Sequence, residues 1–220
     1  PRKRRRGRER RARTGGRHAR DTEMTPELRA IADRFIYEQA TLKHMTALAP
    51  EDAMRRPVPG SAWNVAQLLG HLALSMNSYA GAVRGWLGGE TDFSGFDAEA
   101  MSEETAARFA NASRLDVTRA FGAGLVELFA VLGAVPDERM DAPFGTGTGL
   151  DTLRGFGEHF VRHAIPLVDA LPEARMDPLV LNWVLDAEFD DEPSHDWQRR
   201  LLAEAQEYIA SHPEEDEDEE

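Results

Sequence analysis

The side chains best placed to do chemistry in this 220-residue chain are three histidines, His71, His159 and His163. His159 and His163 stand four apart, which on a helix sets both imidazoles on one face, a turn from each other. The chain has no cysteine. Disulfides, thiolate metal sites and cysteine nucleophiles are therefore excluded, and any transition-metal site must draw on His, Asp or Glu. Three neutral imidazoles with an open fourth position make the ligand set of a catalytic zinc, and nickel or iron would also accept them. A second reading stands beside this one: each histidine is a hydrogen-bonded core residue, and an i, i+4 pair alone is a weak signal.

The elements that must position these side chains read as helices throughout. Leu28, Ile31, Phe35, Leu42 and Met45 recur at helical spacing in a first helix over residues 26–48, opened by Thr25-Pro26-Glu27. Pro50, Pro57, Pro59 and Gly60 mark a loop. Asn64 is the expected N-cap of a second helix reaching Leu87, where Gly88-Gly89 ends it. A third helix is predicted over 103–132. A fourth is predicted over 151–171, capped by Asp151 and kinked at Pro166. Trp63, Trp86 and Phe160 read as core. The predicted fold is all-α, an antiparallel up-down-up-down four-helix bundle.

In that bundle the second and fourth helices run parallel. His71 would lie ~10 Å into one and His159 ~12 Å into the other at 1.5 Å per residue, so all three rings could meet at one level. Ser75, Ser78 and Ala82 share the His71 side and leave space for a ligand. The glycine-rich loop Gly145 to Gly149 reads as a flexible lid at the same end, with Asp141 and Asp151 as candidate bases there. His44, His195 and His212 have no partner at useful spacing.

Charge divides the chain. Residues 1–20 carry a net +10, which leaves about −23 on the remainder against −13 overall. The acidic body argues against nucleic acid as a partner. Residues 1–23 read as a disordered basic arm, either one that binds nucleic acid or acidic lipid or, the simpler reading, an extension upstream of a start at Met24. Residues 24–172 form the expected bundle. Residues 173–212 form a helical C-terminal appendage, with Pro178 to Leu185 and Trp197 to Ile209 as its helices. Residues 213–220 form a disordered acidic tail. No apolar run approaches the ~20 residues of a membrane span and no secretory signal is evident, so the expected location is the cytoplasm.

Two segments carry a resemblance. Gly60-Ser61-Ala62-Trp63-Asn64-Val65-Ala66-Gln67-Leu68-Leu69-Gly70-His71-Leu72 resembles the first motif of the DinB-like superfamily, which includes the metal-binding domain of mycothiol-dependent maleylpyruvate isomerases. Thr152-Leu153-Arg154 through His159-Phe160-Val161-Arg162-His163 resembles the second motif, which ends in two ligands four apart. The likeness spans about residues 24–171. It implies a four-helix bundle with a three-ligand metal site, and the ligands fall on His71, His159 and His163. In the isomerase branch the position of His159 holds Glu, and Glu158 here is out of register, which favours the broader group.

The function the resemblance implies is a metal-dependent transferase or isomerase. It would use a divalent metal, foremost zinc, and a low-molecular-weight thiol as cosubstrate. The alternative is a non-catalytic bundle with structural or vestigial histidines, acting as a binding or dimerising protein. Family members often form homodimers, and exposed parts of Trp183 and Trp197 offer a contact for one.

Overall fold

Local capping sets the helix boundaries in the computed structural model, which describes residues 24–93 and 97–212. Thr25 accepts a hydrogen bond from the Leu28 amide and opens α1, Pro26–Leu48. Asn64 and Gln67 form a reciprocal capping box at the start of α2, Val65–Leu87. The segment expected to form a single third helix is two: α3, Ala98–Phe109, and α4, Arg114–Leu132. Ser113 breaks it. Its hydroxyl takes the Asp116 amide at 3.2 Å while the Asp116 carboxylate takes the Ser113 amide at 3.1 Å, a second capping box that the run of helix-favouring residues conceals.

The predicted fourth helix is also two: α5, Gly149–Arg162, and α6, Ala164–Ala170. Its cap is Thr148, and Asp151 is the capping-box partner, as Ser113 and Asp116 are for α4. Pro166 has no amide hydrogen to give the Arg162 carbonyl, so the helix breaks at His163, four residues before the Leu167 amide takes up the His163 carbonyl. A short antiparallel ribbon, β1 Pro143–Phe144 with β2 Gly147–Thr148, leads into α5. Two further helices, α7 Pro178–Leu185 and α8 Glu192–Ser211, follow. α8 begins earlier than expected because Asp191 caps it through the Ser194 amide.

The helix directions differ from the expected up-down-up-down order. α1 and α4 are antiparallel: Met24 lies against Gly133, Gln39 donates to the Phe121 carbonyl at 2.6 Å, and Arg114 donates to the Ala47 and Ala49 carbonyls. α2 and α4 run parallel: Asn64 donates to the Ala110 carbonyl, Gly124 packs on Ala73 and Met76, and Arg84 pairs with Glu127. α2 and α5 are antiparallel, since Tyr79 stacks on Phe156 and Trp86 lies against Gly149. The four long helices therefore run up, down, down, up.

The cause is α3. It runs back along α2, with Gln67 donating to the Ala106 carbonyl at 2.8 Å and Ser78 to the Met101 sulfur, and so returns the chain to the start of α2 before α4 begins. Gly70 lets it approach: a Cβ there would fall 2.3 Å from the Phe109 ring.

One apolar core joins these elements. Leu42, Leu69, Leu72, Leu128, Leu153 and Leu167 are fully buried in it. Val180, Trp183 and Val184 of α7 and Trp197 and Leu201 of α8 belong to the same core. Trp183 and Trp197 are thus buried rather than available for a dimer contact. No helix among the described residues is long and apolar enough to cross a membrane. The basic arm and the acidic tail lie outside the described residues.

Candidate metal centre

The break at His163 and the antiparallel run of α5 against α2 create the site. The first turns of α2 meet the last turn of α5, so His71, seven residues into α2, faces His159 and the helix-ending His163. The three rings do converge at one level. They do so across antiparallel helices, with His159 and His163 at the end of their helix rather than near its start.

The geometry is tight. His71 Nε2 and His159 Nε2 are 3.0 Å apart. The ring centroids lie 5.0 Å apart for His71–His159, 5.4 Å for His71–His163 and 4.9 Å for His159–His163. One nitrogen from each ring can be chosen so that no two are more than 4.8 Å apart, and this is a group of the kind that could hold a metal ion. Two nitrogens each 2.0–2.1 Å from a tetrahedral ion are about 3.3 Å apart, so the closest pair already has that spacing. Binding all three draws the outermost pair in by about 1.5 Å, within the reach of a χ rotation at a helix end.

The electrostatics suit metal ligands. Burial, with the neighbouring His163 charge second, pushes the His71 pKa down to about 4. Burial, then His163 and His71, pushes His159 down to about 3. Burial and Arg162 lower His163 as well. All three rings are therefore neutral at physiological pH, the form that coordinates a metal. No carboxylate is close enough to join the group among the described residues. The His71 Nδ1 atom is buried with no hydrogen-bond partner among the described residues. A donor set of three neutral nitrogens, two of them already 3.0 Å apart, fits a cation held by imidazoles alone.

Neighbouring side chains frame the cluster. Ser75, one turn after His71, donates to the His71 carbonyl at 2.8 Å and lies 3.4 Å from His159 Nε2. Tyr79 stacks on Phe156 and meets the His159 ring edge-on, while burial pushes its phenol pKa up.

Trp63 covers the other side, its ring 5.0 Å from that of His71. It is half-buried rather than core. Trp63→Ala is accordingly expected to cost about 1–3 kcal/mol in denaturant unfolding, below the loss from truncating a fully buried Trp. A loss of about 5 kcal/mol would show that Trp63 anchors the core after all.

Other expected features lie elsewhere. The loop Gly145 to Gly149 and Asp141 are at the start of α5, beside Trp86 and Phe144, and the histidines are at its far end. A lid or a base at the metal end is therefore not supplied by these residues. Asp151 is held in the Thr148 capping box. His44 has a partner that spacing does not reveal, Asp177 at 2.9 Å.

Sequence reasoning missed Glu38. It sits on the buried stripe of α1 at the spacing of Leu28, Ile31, Phe35, Leu42 and Met45, and an acid on that stripe was the available signal. Burial pushes its carboxyl up to about 7 against the pull of Arg34, which donates to it at 2.9 Å.

A helical protein with a convergent three-histidine group on two antiparallel helices is the class that fold and site define. The family model of the DinB superfamily matches residues 37–165. The chain belongs to that superfamily. Comparison with curated proteins and with solved structures found no match to either.

Proposed function

We propose that His71, His159 and His163 hold one divalent metal ion, zinc by the softness and geometry of its ligands, and that the protein is a metal-dependent transferase acting with a low-molecular-weight thiol. The observation that carries this is the convergence of three neutral imidazoles, one buried and two half-buried, with no protein carboxylate in the group among the described residues. Bound there, zinc would lower the pKa of a coordinating thiol and hold it as thiolate. The chain's own residues keep the three nitrogens unprotonated, Ser75 fixes the α2 turn that carries His71, and Trp63 and the Tyr79–Phe156 pair shield the cluster from water. We place α1, α2, α4 and α5 as the helices of the superfamily's four-helix bundle.

Transfer is favoured over isomerisation because His159 occupies the position that is Glu in the isomerase branch. Incubating zinc-loaded protein with a low-molecular-weight thiol and an aryl-halide electrophile should form the thioether at least tenfold faster than the metal-free protein does, a modest gain for an enzyme. Equal rates in both forms would reject the transferase and leave a binding protein.

A further inference from the structure

The face of α2 that carries His71 leads to a cavity. His71, Ser75, Ser78 and Ala82 follow at i, i+4, i+7 and i+11, so one stripe runs from the histidine cluster to a cavity of about 420 Å³. Its floor is small: Ser78, Gly81 and Ala82. The stacked Tyr79 and Phe156 rings, 4.0 Å apart, form one wall, and the other is Phe93, 38% exposed and 6.5 Å from Phe156.

Gly81 is unusual for a helix interior. A Cβ added to it would meet nothing within 4 Å, so no packing constraint requires glycine, and glycine weakens a helix. What the glycine does provide is room above the floor. The rim is acidic, with the carboxylates of Glu90 and Asp92, on a body that already carries strong negative charge.

We propose that this cavity binds the second substrate of the site, a small organic cation with an aromatic or aliphatic body. The body lies on the Ser78–Gly81–Ala82 floor between the rings. The ammonium meets the Glu90 carboxylate at the rim. The role as substrate rests on the transferase reading. The binding itself does not need the metal.

Calorimetric titration of the full chain with 1-naphthylmethylamine, 1-naphthalenemethanol and 1-naphthylacetate tests it, each with zinc and with chelator. The amine should bind in both conditions, the alcohol about tenfold more weakly and the acetate not measurably. Gly81→Leu puts a good helix former where the first side-chain atom is unobstructed, so it should stay folded and lose the amine. Glu90→Gln should bring the amine to the level of the alcohol. Equal binding of the three ligands, amine binding by folded Gly81→Leu at the wild-type level, or binding of methylamine as strong as that of the naphthyl amine would overturn the proposal. Amine binding that persists in chelator, in a protein that shows no thiol transfer, would keep the cavity and remove only the enzyme.

Discussion

Replacing any one of His71, His159 or His163 by Ala is expected to weaken zinc binding by a factor of at least about 100, and replacing a second should weaken it little further. Three nitrogens converge on one point, so two retained ligands cannot complete the coordination that three provide. Ligands that act as a unit give non-additive losses. Competition titration against a zinc-binding dye reads the effect. A core role for the histidines predicts the opposite pattern: unequal, independent losses of stability and no change in zinc affinity. His71→Ala is the most informative, because His71 alone comes from α2 and the other two sit on one turn of α5. Zinc held equally well without it would reduce the site to a half-buried i, i+4 pair.

The second large effect is acid lability of the metal-free protein. In the unfolded chain histidines titrate near pH 6.5. In the folded protein His71 takes a proton only near pH 4 and His159 near pH 3. Between about 6.5 and 4 the unfolded state binds more protons, so stability is full above pH 6.5 and falls as the pH drops toward 4. His71 alone contributes about 3 kcal/mol of this loss.

Glu38 works in the other direction. Its folded pKa of about 7 means that its contribution is present below the usual carboxylate range and is lost as the pH rises through 7. Glu38→Gln should therefore steepen the fall of melting temperature below pH 6.5, and His71→Asn should flatten it. A metal-free protein equally stable at pH 6.5 and 4.5 in the Glu38→Gln background would show that the histidines are not buried as described. The same shifts change the expected pH dependence of zinc binding. Ordinary imidazoles would lose metal between pH 7 and 5. Rings already held neutral by burial meet proton competition lower, mainly below about pH 5.

The sequence made the helical class and the family legible, because apolar periodicity and caps are local. Asn64 as the α2 cap and the α7 boundaries followed from residue types at fixed offsets. The histidine group was legible for a partly mistaken reason. Matching depths in parallel helices placed the rings together, whereas the real register is antiparallel and the meeting point is the end of α5. Helix direction depends on whether the chain between α2 and α4 crosses back, and that turned on one capping box at Ser113–Asp116 inside a segment otherwise favourable to a single helix. The misplaced Gly145 to Gly149 loop and Asp141 have a separate cause: the helix stops at His163, so the histidines stand at its end and the loop at its start. Residues whose role depends on tertiary packing, such as Glu38 through its burial and His44 through its contact with Asp177, leave at most a hint in the pattern.

The central claim, one metal held by three histidines, is tested most directly by elemental analysis of the full chain purified without chelator and without a histidine tag. The account predicts about one zinc per chain that survives exhaustive dialysis and disappears in His71→Ala, with the variant still helical by circular dichroism. Wild-type protein that carries no metal, and takes up none when dialysed against zinc at neutral pH, would contradict it.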